Sequence, residues 1–311
     1  MNTKELINRI NKVYEELPQN SKLAAFVFHK AINLENFDLF STIAVLEQNG
    51  ESENILSLQT LKRLNLHLQP NAKTYYIPPK SSIPMLSREN KIIPISQATK
   101  EEKIDIAKGN ISTKEKAHYC WSVGYDIKDT DCPKDCYSKY KNYHFNDVSH
   151  TDIYINLSSF AESIGITVNE DNISSLCLDG FYNDKTDEIV VNSNLNVSNK
   201  VKTLCESLAK GIIVQTSTQP KDVKIFEEQL LSKSLQNLCQ LPITFEDMNF
   251  NIANLNGCYC RSSKATSFVA NGIINQMDIS RQNEINHTKN QSIGTEVEAD
   301  EVAANFLQGL R

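Results

Sequence analysis

The N-terminal part of the chain repeats apolar side chains three or four positions apart, which is the spacing of one buried face of an α-helix. Pro18 ends the first of these runs, for which Thr3 is a candidate N-cap, and Asn49-Gly50 ends the third. The pattern predicts helices at Leu6–Leu17, Leu23–Ile32 and Phe37–Leu46.

Between these helices and the middle of the chain the pattern changes to shorter and looser runs. Prolines 78, 79 and 84 predict a loop, and the polar residues 98–117 predict an exposed insertion. The turn-rich stretch Asp131–Tyr143 closes this part of the chain. The runs predict a short helical piece at Leu58–Leu64, strands within Leu66–Ile77, and a strand at Tyr119–Ile127 that contains Trp121.

The second half combines a β-pair with long helices. The pair lies at Leu176–Tyr182 and Glu188–Asn192, and Ser198 is a candidate cap for the helix that follows it. Other helices are predicted at Ile153–Gly165, Val223–Leu241, Ser263–Ile279 and Glu296–Leu310, with a polar linker at 280–293. Together the patterns predict an α+β protein with two domains, residues 1–147 and residues 148–311.

Charge is distributed unevenly between the two halves of the 311 residues. Residues 1–150 hold 20 basic and 18 acidic side chains, whereas residues 151–311 hold 12 and 20. The front half is therefore the part that could approach a phosphate backbone, and the back half is poorly suited to it. Only 10 glycines are present, which disfavours a glycine-rich phosphate loop.

Targeting signals and cysteine usage both predict an intracellular protein. No stretch is long and apolar enough for a transmembrane helix, and the charged segment Met1–Glu16 lacks the apolar centre of a signal peptide. The eight cysteines are too sparse for a disulfide scaffold, so most are expected to be free thiols. We expect a cytoplasmic protein without membrane contact.

The unit formed by Glu188–Asn192, a loop and Thr203–Ile213 resembles the core of minimal zinc peptidases of the ImmA/IrrE kind. Their helix reads Thr-Leu-x-His-Glu-Leu-Ala-His-Gly: two His side chains hold zinc, and the Glu acts as general base on the bound water. Here Glu206, Ser207 and Lys210 occupy the positions of the first His, the Glu and the second His.

This resemblance implies a zincin-like domain whose metal ligands and general base are replaced, with no bound cofactor and no peptidase activity. Glu227 or Glu228 falls near the place where such enzymes have a third ligand. Two alternatives remain open. The stretch could be an ordinary amphipathic helix, or Glu206 could still bind a metal beside the ammonium of Lys210.

The front half resembles the ArdC-like antirestriction proteins and the related LtrC-like proteins of conjugative elements. The segment Gly124–Pro133 is the closest match to their Tyr-Asp-Ile-Ser-Gln-Thr-Asp-Cys-Pro stretch, and Phe26–Gln48 fits their helices. The order of these features agrees over residues 20–145, and the zincin-like unit follows in its expected place. The departures are Leu61, near the expected Trp, and Gln69–Lys73, near the expected basic turn.

The resemblance implies that the front domain contacts single-stranded DNA, in a protein that protects incoming DNA. Stacking on unpaired bases requires aromatic and cationic side chains together. The densest such cluster, which could equally be an ordinary surface loop, comprises Lys134, Tyr137, Lys139, Tyr140, Lys141, Tyr143 and His144. Further candidates for phosphate contact are Lys62, Arg63, Lys73, Lys80, Arg88 and Lys91.

A small zinc site is a further possibility at Cys132, Cys136, His144 and His150, with Cys258 and Cys260 as additional ligands. The interpretation we prefer is that they are turn and packing residues and that no metal is bound. Cys205 is expected to be a core residue, since no His is near it in sequence to serve as a base.

The sequence thus predicts a non-enzymatic, DNA-associated accessory protein of a plasmid or phage, with single-stranded DNA or a host or element-encoded protein as partner. The alternative is a protein-interaction module that inhibits a host defence enzyme and is built on an inactive metallopeptidase fold.

Overall fold

The computed structural model shows an α+β protein. It describes residues 3–34, 37–52, 54–78, 82–88, 91–94, 98–107, 111, 114–117, 121–134, 136–137, 145 and 148–279. The chain divides into two compact units: Met1–His144 with Thr244–Arg261, and Phe145–Ile243 with Ser262–Arg311. The segment Thr244–Arg261 belongs to the first unit, an arrangement that the predicted boundary at residue 147 did not include.

Four helices of the first unit, at residues 3–16, 21–33, 39–48 and 58–63, lie close to where the apolar pattern predicts them. Asp38 and Ser57 cap the third and fourth helices by accepting hydrogen bonds from the backbone amides of Ser41 and Thr60. The described helices are α1 (Thr3–Glu16), α2 (Ser21–Asn33), α3 (Leu39–Gln48), α4 (Leu58–Arg63) and α5 (Lys100–Ala107).

The first sheet of this unit is antiparallel, with strand order β1-β6-β2. Its strands are β1 (Ile55–Ser57), β2 (Thr74–Ile77) and β6 (Ser122–Asp126). One face packs on the helices through a cluster of buried side chains, Leu34, Val45, Ile55, Tyr75 and Ile77. Gly124 lies in the middle of that face, where a Cβ atom would come within 3.0 Å of Ile77 Cδ1.

The second sheet corrects one sequence-based prediction. Its strands are β3 (Ser82–Arg88), β4 (Lys91–Pro94) and β5 (Lys114–Ala117), in the order β4-β3-β5. Pro84 was predicted to lie in a loop, but it lies in β3 opposite Glu115, beyond the last residue that pairs with β4. Proline is tolerated there because β3 has a single neighbour at that point.

The polar stretch 98–117, which was predicted to be an exposed insertion, contains helix α5 and strand β5. Thr99 and Glu102 form a reciprocal capping box: each side chain accepts a hydrogen bond from the other residue's backbone amide. The Thr-x-x-Glu signal for this helix start was therefore present in the sequence.

The segment 244–261 completes the core of the first unit. The ring of Phe28 on α2 lies 6.2 Å from that of Phe245, 5.0 Å from that of Phe250 and 6.0 Å from that of Tyr259. The side chain of Asn256 accepts a hydrogen bond from the amide of Leu39, the first residue of α3. All four aromatic rings are buried.

The second unit packs long helices against a mixed three-stranded sheet. Strand β9 (Glu188–Asn192) lies between β7 (Thr167–Asp171), to which it is parallel, and β8 (Gly180–Asn183), to which it is antiparallel. The helices are α6 (His150–Ser163), α7 (Val197–Thr216), α8 (Lys221–Leu238) and α9 (residues 255–279), whose first seven residues count with the first unit.

Small residues allow the helices of the second unit to approach their neighbours closely. Gly211 on α7 lies against the ring of Tyr182, since a Cβ there would be 3.1 Å from its Cε2 atom. Gly272 on α9 makes room for the ring of Phe160 in the same way. No helix that the structure describes has the length and apolar character needed to cross a membrane.

The predicted helix 296–310 and the linker 280–293 lie outside the described residues.

Candidate functional site

The residues at the metallopeptidase-like positions lie on α7, directly after strand β9. Glu206 and Lys210 are exposed and one helical turn apart, as the i, i+4 spacing requires, whereas Ser207 is buried with 6% of its surface exposed. The packing face of the helix, Leu204, Leu208 and Gly211, is buried as predicted.

Helix α8 provides polar partners for this part of α7. Gln236 Nε2 donates to Glu206 Oε1 at 3.3 Å and to Ser232 Oγ at 3.0 Å. Burial raises the pKa of the Glu228 carboxyl, and the charge of Lys210 partly opposes that shift. Ser217 donates to the buried carboxylate of Glu227 at 3.3 Å. Glu206 and Glu227 therefore each have a hydrogen-bond partner within the second unit.

This arrangement differs chemically from a hydrolytic zinc centre. A catalytic zinc site needs three protein ligands and an open position for water. In the part of the chain that the structure describes, no group of three or more His, Cys, Asp or Glu side chains is placed to hold a metal ion. Lys210 contributes an ammonium beside the Glu228 carboxyl, and the hydroxyl of Ser207 has little access to solvent.

Cys205 is buried, as the sequence predicted, and its partner is another thiol. Its Sγ atom lies 3.8 Å from that of Cys239, just past the end of α8, and both side chains are fully buried. The hydrogen bond to Cys239 and the burial raise the pKa of the Cys205 thiol well above its usual value. A protonated, buried thiol is a packing group and a poor nucleophile.

Only part of the Cys/His set considered for zinc can be located. Cys132 is buried and Cys136 is partly buried, both in the first unit, while His144 lies outside the described residues. His150 begins α6 in the second unit, where one ring nitrogen lies 2.7 Å from Ser198 Oγ and the other 3.2 Å from the carbonyl oxygen of Cys239. Both nitrogens of His150 are thus engaged within the second unit.

The stretch 124–133, which carries the closest sequence match to the ArdC-like proteins, forms hydrogen bonds with the neighbouring loop 67–73. Asp129 accepts hydrogen bonds from the amide of Lys73 through its carboxylate and from that of Gln69 through its carbonyl. Asp131 accepts from the amide of His67 and lies 2.9 Å from its ring, and these bonds lower the pKa of the Asp131 carboxyl. The polar residues of this stretch therefore position the loop 67–73.

The cations predicted to contact DNA fall into two groups. Lys73 is used internally, because its ammonium donates to the carbonyl oxygen of Gln48 at 2.6 Å and lies 5.3 Å from the centre of the Tyr75 ring. Lys62 and Arg63, in the last turn of α4, and Lys134 are exposed and form no ion pair with any residue the structure describes.

The aromatic part of the predicted cluster is largely outside the described residues. Tyr137 is described and partly buried, and its carbonyl accepts a hydrogen bond from the side chain of Asn54. Lys139, Tyr140, Lys141 and Tyr143 are not among the described residues, and neither is Lys80. The side chains of Arg88 and Lys91, in β3 and β4, are likewise not described.

The first sheet carries an aromatic surface that was not predicted from the sequence. Tyr76 on β2 and Val123 on β6 pair directly across the strands, and their side chains are 42% and 40% exposed. Tyr125, on the same face of β6, is partly exposed. The alternation of Trp121, Val123 and Tyr125 was the signal that could have revealed this face.

Comparison with known proteins gives a distant structural similarity. No protein-family model matches the chain, and no curated protein matches it. Three chains of solved structures match. The metal-free crystal structure of the antirestriction protein ArdC from the R388 plasmid is similar with 9% identity and a TM-score of 0.42, over 77% of this chain and 85% of that one.

The Mn(II)-bound structure of the same ArdC protein is similar with 10% identity and a TM-score of 0.42, over 81% of this chain and 98% of that one. In structure, the chain is thus distantly similar to ArdC.

Proposed function

We propose that this protein is a non-enzymatic accessory protein of a mobile element, with an antirestriction role, that contacts single-stranded DNA through its first unit. The observation that carries the proposal is the pair Lys62 and Arg63, which end α4 exposed and without an ion pair among the described residues. Helix α4 itself contains no acidic residue that would offset these two positive charges.

The balance of charge supports placing the contact in the first unit. Residues 1–150 carry a small basic excess, and residues 151–311 carry an acidic excess that repels a phosphate backbone. With few cations engaged, such contact would be weak, without sequence preference and strongly dependent on salt.

The second unit is proposed to be a scaffold related to the zincins in which the chemistry is absent. Its α7 helix carries Glu206, Ser207 and Lys210 where a peptidase of that kind carries His, Glu and His. Gln236 of α8 donates a hydrogen bond to Glu206, and the Glu228 carboxyl of α8 is influenced by the charge of Lys210. We therefore propose no catalytic residue and no cofactor.

The test is a binding titration of the full-length protein with a fluorescent oligo(dT), followed by anisotropy at several salt concentrations. The double variant Lys62→Ala/Arg63→Ala should bind more weakly at low salt. Its salt dependence should be shallower by about 1.4 in the slope of log K against log[salt], since two phosphate contacts are lost. The matched control is Lys202→Ala/Lys221→Ala, which removes two exposed cations from the second unit.

Failure of the full-length protein to bind the oligonucleotide at about 50 mM salt would reject DNA contact. Equal weakening by both double variants would show a general charge effect and would reject the assignment to the first unit.

A second candidate function, a protein-interaction module, is favoured by strand β7. It is an edge strand, and Thr167, Asn169, Glu170 and Asp171 are exposed along it. An exposed acidic edge can add a strand from a partner or present negative charge to a basic enzyme. A host-protein complex in the absence of oligonucleotide binding, weakened by Asp171→Lys, would favour this function. Glu170 is left unchanged in this test because its carboxylate pairs with Lys200.

A further inference from the structure

The sheet β1-β6-β2 has one buried and one open face, and the open face is aromatic. Successive side chains of a strand point to opposite faces. Tyr75 and Ile77 of β2 belong to the buried cluster, so Tyr76 between them faces the other way. On β6, Gly124 and Asp126 are buried, so Val123 and Tyr125 lie on the same open face as Tyr76.

The register of the strands places the aromatic rings in a row. Tyr76 pairs with Val123, and Thr74 pairs with Tyr125, so Tyr76 and Tyr125 are diagonal neighbours. Diagonal neighbours in an antiparallel pair are about 7–8 Å apart. Trp121 directly precedes β6, is partly exposed, and continues the alternation of Val123 and Tyr125. The row thus runs from Tyr125 past Tyr76 toward Trp121.

The surroundings of this row suit a strand of unpaired nucleotides. None of the residues on the open face is charged: Leu56, Thr74, Tyr76, Trp121, Val123 and Tyr125. Helix α4 follows β1 directly, packs against β1 and β6, and adds Lys62 and Arg63 without an acidic residue. Flat aromatic rings for the bases and nearby cations for the phosphates are the two components that binding of single-stranded nucleic acid requires.

We propose that the open face of this sheet is a base-stacking platform on which unpaired bases of single-stranded DNA lie against Tyr76, Tyr125 and Trp121, with the phosphates toward Lys62 and Arg63. This inference rests on the proposed function and specifies the surface that performs it. Exposed aromatic side chains outside a core mark interaction sites more often than scattered aliphatic ones do.

Trp121 makes the proposal directly measurable, because it is the only tryptophan of the chain. Titration of the full-length protein with unlabelled oligo(dT) at about 50 mM salt should quench tryptophan fluorescence. The midpoint of the quenching should equal that of the anisotropy titration with labelled oligo(dT). Duplex DNA of the same length should quench much less, since its bases are already stacked.

The variants Tyr76→Ala and Tyr125→Ala should each weaken oligo(dT) binding at least about fivefold, the equivalent of about 1 kcal/mol for one stacked base. Tyr76→Phe should bind as the parent does, because the ring is kept. The matched control is Phe181→Ala, which removes an exposed aromatic ring from strand β8 of the second unit and should leave binding unchanged. Thermal unfolding of each variant reports whether the fold is kept.

The outcomes separate this inference from the function on which it rests. If the full-length protein does not bind oligo(dT), both fail. If it binds with the expected salt dependence while Trp121 fluorescence and the affinity of Tyr76→Ala are unchanged, the platform is rejected and the DNA contact stands. If sedimentation shows a dimer that Tyr76→Ala dissociates, the face is an interface between copies of the chain, and the platform is likewise rejected.

Discussion

The hydroxyl of Tyr259 donates a hydrogen bond of 2.8 Å to the carbonyl oxygen of Ala31, although the two residues are 228 positions apart. This bond joins the segment 244–261 to the end of α2, and the Tyr259 ring packs edge-on against Phe28. Both residues are buried, so the bond is formed out of contact with water. The core of the first unit is therefore completed by residues that come after the segment Phe145–Ile243 of the second unit in sequence.

Removing this hydroxyl should weaken the first unit without disturbing its packing. Tyr259→Phe keeps the ring, but the carbonyl oxygen of Ala31 then accepts only the hydrogen bond within its helix. We expect the free energy of unfolding to fall by about 1 kcal/mol. Urea denaturation measures the change. Tyr76→Phe, which loses an exposed phenol, should show no loss. Equal stability of the two variants would contradict a role for the Tyr259 bond.

A fragment of residues 1–150 should be a poor substitute for the first unit. It lacks Phe245, Phe250 and Tyr259, and burial of each such ring contributes about 1.5–3 kcal/mol. The total is comparable to the whole stability of an ordinary domain, about 5–15 kcal/mol. We expect the fragment to bind a hydrophobic dye and to unfold without a sharp transition.

Joining residues 244–261 to this fragment through a flexible Gly/Ser linker should restore cooperative unfolding and suppress dye binding. Identical unfolding curves for the fragment with and without the added segment would show that the segment contributes nothing to the core.

Stability should fall at alkaline pH because of the buried thiol of Cys205. Its pKa is raised in the folded protein by the hydrogen bond to Cys239 and by burial, so the folded state keeps the proton that the unfolded state releases. The stabilisation is complete below the ordinary thiol pKa of about 8.5. It declines by about 1.4 kcal/mol per pH unit as the pH rises toward the folded-state value.

The measurement is urea denaturation at pH 7.5 and about pH 9.5, a range in which an unfolded thiol ionises. Cys205→Ala, which has no proton to lose, should show the smaller decrease. Cys177→Ala is the control, since Cys177 is exposed and should leave the decrease as in the parent. A decrease of the same size in Cys205→Ala would assign the pH dependence to other groups.

Restoring the missing acid of the metallopeptidase-like helix should create no enzyme. In Ser207→Glu the new carboxylate has no metal-bound water to act on, so we expect no cleavage of a casein-type substrate. Because Ser207 is buried, the variant should also lose stability, and Ser207→Ala should lose much less. Measurable proteolysis by Ser207→Glu alone would refute the proposal of an inactive scaffold.

Elemental analysis of the purified protein should find less than one zinc per chain, because α7 lacks the two His side chains that bind zinc in the peptidases. One tightly bound zinc per chain would contradict the proposal that the second unit is an inactive scaffold.

Local patterns in the sequence were enough to locate most helices. Leu6 and Ile10 of α1 and Leu17 directly after it recur at helical spacing, and all three are buried. The strand–loop–helix order of β9 and α7 was likewise evident from the sequence, as was the burial of Cys205. Such features can be predicted because periodicity records which side of an element is covered.

Partners distant in sequence were decided by the tertiary structure. The pattern of apolar and polar residues did not predict that β7 pairs in parallel with β9, or that the ring of Phe250 packs against that of Phe28. The exposure of Tyr76 and Tyr125 was also decided by the tertiary structure. Alternation along a strand defines two faces, but only packing decides which of the two is covered. Periodicity specifies that a side chain is buried, whereas its partner depends on how the whole chain folds.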